Sequence, residues 1–465
     1  MNSINVHSRT LGFNNDLLTP IAAYLKLNQT DAFFLESVEK GQSIGRYSMI
    51  GLDPLCRVQG YQDYISLTIN NTKTVHEGHP LNQLNELYKS INHSQSGETP
   101  VSMGFFGYFS WEVIQVIEQL DVQQKDSCLF DFQIPTLLVV FDHANQMIFI
   151  TQSSHKPITS DAYIHQIFEQ LQTSLSDSKY RPISKPSQLD WSDVSSNWSQ
   201  ADYQNAVLKA KDHIKEGDIF QAVLSQRFTV PKTKDSLSVY RSLRHINPSP
   251  YMFYFNYGDT KIIGSSPEIL VKSEAGVATV RPIAGTRKRT GSNEDDLIED
   301  LKTDEKEVAE HIMLVDLGRN DLGRVCDYKS IEINDLMTIE RYSHVLHMVT
   351  NVTGTLKENM TPIDLFQATF PAGTVSGAPK IRAIEIINQL EPDARHIYSG
   401  SVGYFNFSGD CDFCIAIRTI IADKETYNIQ AGAGVVADSI PENEFNETKN
   451  KAQGVIMACF NGEIT

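Results

Sequence analysis

The 465-residue sequence predicts an α+β protein, an α/β sandwich of two lobes in which helices flank large mixed or antiparallel sheets. In the second half of the chain, segments with apolar residues at helical spacing alternate with β-branched runs. Several of those runs are joined by short turns such as 406–410, which favours antiparallel pairing. Residues 1–175 contain short apolar runs between glycine, proline, asparagine and aspartate, a pattern typical of strands and turns.

The chain is long enough for two or three domains, or for one intertwined sandwich. Residues 1–175 are predicted to form a β-rich N-terminal lobe. Residues 176–200 are rich in serine and proline and predict a polar linker. Residues 201–465 are predicted to form the second lobe.

Taken in order, the first element is GFFGYFSWE at 104–112, whose two glycines predict close backbone packing among aromatic side chains. A helix is expected over 203–215, with Ser199 as its cap and Gly217 at its end. Further helices are expected at 304–317, 379–390 and 442–459. Strands are expected at 251–256, 262–264, 268–272, 401–407, 413–421 and 427–431.

The composition excludes several classes of function. A net charge of −17 leaves no basic excess for a nucleic acid. No apolar run reaches the length of a membrane span and the amino terminus lacks a secretory pattern, so a cytoplasmic protein is expected. The six cysteines include one CxxC, Cys411 to Cys414, with no second pair at zinc spacing, which favours packed free thiols.

Two pairs of glutamates stand out because each pair has i,i+3 spacing on a predicted helix. Glu307 and Glu310 form the first pair, and Glu444 and Glu447 form the second, followed by Lys451. Such spacing puts both carboxylates on one helix face. Two such faces could supply the hard oxygen ligands that Mg²⁺ prefers, or each could be an ordinary solvated acidic face.

The starts of these two helices also carry capping patterns. Thr303 is a plausible N-cap of the first helix. Ser439 and Glu442 form a capping box at the second, which also has Pro441 in its first turn.

Glycine-rich turns and isolated cations suggest binding sites for an anion. Gly432, Ala433 and Gly434 end a predicted strand, and their N–H groups could approach an anion closely. Arg418 lies in the apolar strand CIAIRTII and needs an anionic partner if buried, so a carboxylate clamp is plausible.

Four further residues complete this set. Thr374 lies in the turn PAGTVSGAPK, which could offer donors to an oxyanion. Gly285 and Thr286 adjoin a basic run. His347 could be an acid or base, although a hydrogen-bonded core histidine is slightly favoured.

Together these motifs, in this order, resemble the chorismate-utilising enzyme family over roughly residues 200–455. The resemblance implies the two-lobed α/β sandwich of that fold, with the site between the sheets and the flanking helices. The matching segments are SSPEILV, RPIAGT, DEKEVAEHIMLVDLGRND, HVLHMV, FPAGTVSGAPKIRA, YSGSVGYF, CIAIRT, QAGAGVVADS and ENEFNETKNKA.

The resemblance implies Mg²⁺ as cofactor, with Glu310 and Glu447 as ligands that hold the ring carboxylate of chorismate through the metal. It implies Glu307 as the general acid, Glu444 beside the metal, and His347 and Thr374 in a second step. The substrate contacts that it implies are Gly285, Thr286, Tyr398, Arg418, Gly432, Ala433, Gly434 and Lys451.

Two positions separate the branches of this family. Aminodeoxychorismate synthases typically carry a lysine where this chain has Ala284. Isochorismate and salicylate synthases carry a lysine base where it has Gln221. The resemblance therefore implies a lyase of tryptophan biosynthesis that adds ammonia at C2 of chorismate and eliminates pyruvate to give anthranilate. A divergent aminodeoxychorismate synthase and a non-catalytic sensor of tryptophan or chorismate remain the alternatives.

Regulation and partners follow from the same resemblance. FFLESVEKGQSIGRYSMIG and NPSPYMFY resemble the two halves of a tryptophan pocket in the anthranilate-forming branch, which implies Ser37, Pro250, Tyr251 and Met252 as inhibitor contacts. Phe34 replaces a leucine of that motif. Because no glutaminase motif is present, a separate glutamine amidotransferase subunit is expected to supply ammonia, in a heterodimer or heterotetramer.

Overall fold

The computed structural model describes residues 3–27, 30–38, 45–118, 120, 127–174, 189–289, 294–341 and 345–461. Parts of four predicted features lie outside the described residues: 39–44 of the first inhibitor segment, 176–188 of the linker, 290–291 of the basic run and 344 of the HVLHMV segment. Thr286 is described by its backbone alone.

The strands of the N-terminal third come first in the numbering. They are β1 Ile4–Asn14, β2 Ala32–Glu36, β3 Tyr47–Gly60, β4 Tyr64–Ile69, β5 Thr72–Glu77, β6 Ile91–Ser96, β7 Gly104–Phe109, β8 Phe130–Asp142 and β9 Met147–Ser154.

The strands of the remaining chain continue the series. They are β10 Ser195–Ser196, β11 Gln221–Pro231, β12 Tyr251–Tyr257, β13 Thr260–Ser266, β14 Ile269–Glu274, β15 Val277–Val280, β16 Ile283–Lys288, β17 Glu332–Arg341, β18 Val345–Thr355, β19 Gly377–Ala378, β20 Ser401–Asn406, β21 Cys411–Ile415, β22 Thr419–Ala422 and β23 Thr426–Val435.

The helices of the described residues pack against these strands. They are α1 Pro20–Leu27, α2 Pro80–Ser90, α3 Ile114–Ile117, α4 Ala162–Gln172, α5 Gln200–Glu216, α6 Ser236–Ile246, α7 Glu294–Thr303, α8 Glu305–Val325, α9 Pro362–Thr369, α10 Lys380–Leu390 and α11 Pro441–Phe460.

Two large sheets share the long strands β3 and β8. The first sheet runs β6–β1–β9–β8–β3–β2–β12–β13–β22–β23–β11, and β10 and β19 pair with β11. The second runs β5–β4–β3–β8–β7–β20–β21–β14–β15–β18, and β16 and β17 also pair with β18. Among the described strands, the β1–β6 pair is parallel and the others are antiparallel. The predicted mixed sheets with flanking helices are confirmed.

The hydrophobic core has two main layers. The larger contains residues of strands and of helices α2, α8 and α9, and aromatic rings stack in it in pairs such as Phe33 with Phe106, and Phe109 of β7 with Phe366 of α9. The second lies between the other face of the first sheet and helices α1, α4, α6 and α11. These layers leave the ends of β11, β13, β22 and β23 as the edge from which the site is built.

The glycines of GFFGYFSWE lie where strands approach closely, as the sequence predicts. A Cβ on Gly104 would lie 2.3 Å from the Cα of Asn406, and one on Gly107 would lie 1.9 Å from the carbonyl oxygen of Asp131. Gly107 pairs with Gly403 across β7 and β20, so neither strand of this contact has a side chain to displace.

Several local predictions are corrected by the structure. The strand expected over 413–421 is broken between β21 and β22, and Arg418 lies in the break with a left-handed backbone at φ +50°. Asp304, not Thr303, caps α8, because its carboxylate accepts from the N–H of Lys306 and Glu307. The predicted helix over 203–215 is confirmed and lengthened to Gln200–Glu216.

The capping box predicted at the start of α11 is wrong. Ile440 is the N-cap residue and makes no side-chain capping bond. The Ser439 hydroxyl instead accepts from the N–H of Val436, so it stabilises the turn that joins β23 to α11. Pro441 does occupy the first helical position.

Strands from the two ends of the chain pair with each other. β2 pairs with β12, and β7 pairs with β20, so both sheets contain strands from before and after the predicted linker. The division into lobes at 176–200 stays a prediction. Within the described residues, no helix is long and apolar enough to cross a membrane.

A methyl group at position 107 should destabilise the fold. We expect Gly107→Ala to lower the free energy of unfolding by about 1–3 kcal/mol, because β7 and β8 must separate to accommodate the Cβ. Urea denaturation measures this change. Gly323→Ala in α8 is the control, because its Cβ would meet only Ile331 at 3.7 Å, and we expect it to be neutral or stabilising by about 0.5–1 kcal/mol. Equal effects of both substitutions would contradict the packing argument.

Candidate active site

A cavity of about 470 Å³ lies where β11 and β23 end. The two strands pair antiparallel over ten residue pairs, and α11 follows directly after β23. The cavity walls come from both strands, the 247–250 segment after α6, the turn before β14, β16, the 3₁₀ turn Gly373–Val375 and α11. Segments distant in sequence therefore meet in one space.

Glu268 is a buried carboxylic acid in the cavity wall. It follows β13, and its Oε1 accepts a hydrogen bond from the Thr374 hydroxyl at 2.9 Å. Burial raises the pKa of Glu268 to about 7, although the Thr374 bond and the charges of Lys451 and Arg418 oppose the shift. A group with this pKa is shared between acid and base forms near neutral pH, which suits proton transfer.

Arg418 also faces the cavity, from the break between β21 and β22. Burial lowers the pKa of its guanidinium, and the charge of Glu268 opposes that shift. The left-handed backbone of Arg418 ends the ladder and turns the chain inward. A guanidinium in such a position can hold a carboxylate in a bidentate contact.

The two glutamates of α8 have different surroundings. Glu310 lines the cavity, and its Oε1 accepts from Nε2 of Gln221 at 3.4 Å. Glu307 lies one turn earlier, where its carboxylate is paired with the Arg287 guanidinium at 3.0 Å. Glu310 is therefore the α8 carboxylate that faces the cavity.

The first turns of α11 provide the second pair. Glu447 is paired with Lys451 at 2.7 Å, and Lys451 also donates to the Gly432 carbonyl at 3.0 Å. Burial, and then the charge of Glu447, raise the pKa of Glu444, while Lys306 of α8 opposes this. Because the charge of Lys306 on α8 acts on Glu444 of α11, the first turns of the two helices lie near each other, a proximity that the sequence spacing alone does not predict.

These carboxylates do not form a closed metal cluster. Where the structure describes side chains, three metal-ligating atoms lie within 4.8 Å of one another only in the group His213, Glu216 and Asp218. In that group, Asp218 is already paired with His213 and with Arg382. Of these carboxylates Glu310 borders the cavity, and Lys451, the partner of Glu447, borders it too, which leaves room for an ion that keeps water or substrate oxygens as ligands.

The glycines of the predicted anion-binding turn lie inside β23, which corrects their assignment to a turn. Ser225 of β11 lies opposite Gly432 of β23. The N–H of Ser225 donates to Glu391, and the Gly432 carbonyl accepts from Lys451, so these two residues do not exchange hydrogen bonds across the strands. By the alternation of antiparallel pairs, the N–H groups of Gly432 and Gly434 point away from β11. Ala433 alternates with them and pairs with Leu224, so its amide belongs to the ladder.

Tyr398 and His347 complete the walls. Burial raises the pKa of Tyr398 to about 12, and its hydroxyl lies 2.8 Å from the position of a Cβ on Gly432. His347 is hydrogen-bonded through Nδ1 to the Gly285 carbonyl at 3.3 Å, and burial lowers the pKa of its imidazole. Gly285 has φ +77° at a bulge in β16, so a side chain there would be strained.

A second cleft of about 890 Å³ lies between the sheets. Tyr251, Tyr404 and Asp412 line it, and the Tyr251 hydroxyl donates to Asp412 at 2.9 Å. Burial raises the pKa of Asp412 to about 6. Pro250 lines this cleft and also the first cavity, so the two spaces share a wall.

The other predicted inhibitor contacts differ in position. The Ser37 hydroxyl is buried with no partner among the described residues, and the next residue, Val38, donates to the Ser249 carbonyl. Met252 is 1% exposed and packs in the core beneath the first sheet, where it pairs with Glu36.

Glu268 and Asp412 are two carboxylic acids of these spaces that were not predicted from the sequence. Glu268 lies within SSPEILV, and Asp412 lies within the CxxC from Cys411 to Cys414. A carboxylate inside an otherwise apolar run is costly to bury without a partner, and this was the signal that could have identified them.

Known proteins are similar to this chain over nearly its whole length. The family model described as chorismate binding enzyme matches residues 30–457. The chain is 42% identical to anthranilate synthase component 1 of Acetivibrio thermocellus over 99% of this chain and 97% of that protein. It is 43% identical to the protein of the same name from a Synechocystis strain, over 95% and 94% of the two chains.

Solved structures give the same result for the fold. The crystal structure of anthranilate synthase component I from Streptococcus pneumoniae superposes with a TM-score of 0.80 at 34% identity, over 95% of this chain and 98% of that one. The menaquinone-specific isochorismate synthase of Escherichia coli shares the fold at 19% identity, with a TM-score of 0.73 over 98% and 95%.

The raised pKa of Glu268 predicts a pH-dependent stability. Between the unfolded value of 4.5 and about 7, the folded state keeps a proton that the unfolded state has lost, so stability falls as pH rises through this window. Glu268→Gln removes this loss. We expect its stability relative to the parent chain to increase by about 2–3 kcal/mol between about pH 5 and about pH 8.

Urea denaturation at the two pH values measures this difference. Glu358→Gln, at an exposed position, is the control and should show no change with pH. A difference for Glu268→Gln that is the same at both pH values would show that the carboxyl is not protonated in the folded protein at neutral pH.

Proposed function

Because the chain belongs to the family of chorismate-binding enzymes, we propose that it converts chorismate and ammonia to anthranilate, pyruvate and water. The observation that carries this proposal is the cavity that brings together the Glu268–Thr374 pair, Arg418, Glu310 of α8 and Lys451 of α11. An acid poised near neutral pH, a fixed cation and hard oxygen ligands are the groups that this reaction needs.

Chorismate is a dianion, and the chain has a net charge of −17. Its binding therefore depends on local groups of opposite sign. Arg418 and the N–H groups of Gly432 and Gly434 are proposed to hold the enolpyruvyl carboxylate, and Lys451 adds positive charge at the same wall. Tyr398 limits the depth of the cavity at Gly432.

The carboxylates fit a Mg²⁺ ion as the partner of the ring carboxylate. Their oxygens are hard ligands of the kind that Mg²⁺ prefers, and Glu310 lines the cavity. Glu310 and Glu447 would hold the ion, with Glu307 and Glu444 beside them. When bound, Mg²⁺ would withdraw electrons from the ring through its carboxylate.

In the first step ammonia attacks C2, the ring double bonds shift, and the hydroxyl at C4 leaves. Glu268 is proposed to protonate that hydroxyl so that water departs, and the ammonium formed at C2 loses a proton. The geometry favours Glu268 over Glu307 as the acid, because Glu307 is engaged by Arg287. Thr374 orients the Glu268 carboxyl through its hydrogen bond.

In the second step the C2 hydrogen leaves as a proton, the bond between ring C3 and the enolpyruvyl oxygen breaks, and the ring becomes aromatic. The enolpyruvate released takes up a proton to form pyruvate. His347 is proposed to accept the C2 proton, because burial lowers the pKa of its imidazole and so favours the neutral, basic form at neutral pH.

The choice of C2 amination rests on two uncharged positions. Ala284 lines the cavity and has no amine that could attack the ring. Gln221 lies beside Glu310 and cannot accept a proton from water. Aminodeoxychorismate is the alternative product, and its lack of the fluorescence of anthranilate distinguishes the two outcomes.

We further propose that a glutamine amidotransferase subunit supplies ammonia, that the reaction serves tryptophan biosynthesis in the cytoplasm, and that tryptophan inhibits it. Relatives named component 1 support a two-component enzyme. The cleft with Tyr251 and Asp412 supports a binding site for an amino acid, because it combines apolar and acidic groups. The buried Ser37 hydroxyl, which has no partner among the described residues, is proposed as a further contact.

An assay with chorismate, ammonium at alkaline pH and Mg²⁺ tests the reaction. We expect fluorescent anthranilate from the parent chain, and a loss of about 10²-fold or more in kcat for Glu268→Gln. Glu310→Gln and Glu447→Gln should greatly raise the Mg²⁺ concentration that supports half-maximal rate. Exposed Glu442 of α11 is the matched control, and Glu442→Gln should match the parent. Full turnover of both metal-ligand variants at the parent's Mg²⁺ requirement would refute the metal assignment.

The inhibitor site is tested with tryptophan in the same assay. We expect Ser37→Ala to raise the tryptophan concentration for half-inhibition by about tenfold, because one buried hydrogen bond is lost, with kcat unchanged. Exposed Ser94 provides the control, Ser94→Ala. Inhibition that is unaltered by Ser37→Ala would place the inhibitor elsewhere.

A further inference from the structure

Arg395 is a fully buried cation outside the cavity. It follows α10, is 3% exposed, and does not belong to the residues that line the cavity. A buried guanidinium is costly unless its charge and its N–H groups are all matched. Its contacts therefore show what holds it in place.

The guanidinium makes five hydrogen bonds. Nε donates to Glu391 at 2.8 Å and Nη2 donates to the same carboxylate at 2.7 Å, which gives a bidentate ion pair. Nη2 also donates to the Val223 carbonyl at 2.6 Å, and Nη1 donates to the Val375 carbonyl at 2.7 Å and to the Ser399 hydroxyl at 3.3 Å. The Trp111 ring lies 4.5 Å from the guanidinium carbon.

The two carbonyls belong to different walls of the cavity. Val223 lies on β11, two residues after Gln221, and Val375 directly follows Thr374. The N–H of Val223 also donates to the Ser376 carbonyl at 2.8 Å. Arg395 therefore joins β11 to the turn that carries Thr374, from the side opposite the cavity.

The Glu391 carboxylate extends this connection. Its Oε1 accepts from the N–H and the hydroxyl of Ser225, and Gln430 donates to that hydroxyl at 2.8 Å. Gln430 lines the cavity. One ion pair thus fixes three wall segments relative to one another: β11, β23 and the Thr374 turn.

We propose that Arg395, held by Glu391, is a positioning residue that sets the distance between the Thr374 hydroxyl and the Glu268 carboxyl. The inference rests on the proposed function. A displacement of about 1 Å at such a contact is enough to cost about 10²-fold in rate. Apolar packing would fill the same space, but it could not hold two carbonyls at a fixed separation.

The charged groups around these residues are limited in the described part of the chain. The charges of Glu391, Tyr398 and Glu112 act on the pKa of Arg395. The Thr374 hydrogen bond and the charges of Lys451 and Arg418 act on the pKa of Glu268. A change at Arg395 therefore reaches Glu268 through the position of Thr374 rather than by direct charge.

Arg395→Lys is the informative variant because it keeps the positive charge opposite Glu391 and loses the planar fork. We expect kcat to fall by about 10-fold or more, with a smaller change in the KM for chorismate. The apparent pKa of Glu268 in the pH profile of activity should rise, because the carboxylate loses the hydrogen bond from Thr374. Hydrogen exchange of amides in 221–224 and 374–377 should become faster.

The matched control is Arg227→Lys. Arg227 lies on β11, the strand that Arg395 contacts at Val223. Its guanidinium pairs at 2.7 Å with Asp393, two residues before Arg395, and both side chains are partly exposed. It should leave kcat, the pH profile and exchange in both segments unchanged.

Three outcomes are distinguishable. Parent-like kcat and pH profile in a folded Arg395→Lys protein would overturn the proposal, as would equal losses in both variants. If the parent chain itself makes no anthranilate, the proposed function fails, and the exchange data still test the positioning. If Arg395→Lys does not fold, Glu391→Gln is substituted, with the same expected results and the same refuting ones.

Discussion

The antiparallel pairing of β11 with β23 is the constraint on which the rest of the site depends. It brings Gln221 and Val223 beside Gly432 and Gly434. Because α11 follows β23 in the chain, it also places the start of α11 near these residues. Gly432 and Ser225 form a non-hydrogen-bonded pair of the antiparallel strands. The Gly432 carbonyl can therefore accept a hydrogen bond from Lys451, and its N–H points away from β11. The helices, turns and cations of the cavity are placed relative to this pair.

Electrostatics explains how an acidic chain can bind a dianion. The positive charges are few, and they are positioned at the walls: Arg418 by a break in a strand, and Lys451 by a helix that also carries Glu447. Burial brings the pKa of Glu268 toward neutrality and lowers that of Arg418, and each charge partly offsets the other shift. A carboxylate that binds Arg418 would add a second negative charge beside a guanidinium that burial destabilises.

Much of the fold and part of the site could be predicted from the sequence, because those features depend on local spacing. The i,i+3 pairs on α8 and α11, the glycine contacts at 104 and 107 and the amphipathic α5 are examples. The break at Arg418 could not be predicted, since the apolar run around it is continuous. The bond from Thr374 to Glu268 and the contacts of Arg395 join residues that are far apart in sequence or buried by other elements, and local patterns carry no information about them.

Crystallography with Mn²⁺ in place of Mg²⁺, in the presence of anthranilate and pyruvate, tests the central claim most directly. The convergence of α8 and α11 on the cavity predicts an anomalous peak within ligand distance of Glu310 and Glu447, and a product carboxylate against Arg418. A peak confined to His213, Glu216 and Asp218, with no ion between the two acidic helices, would contradict it.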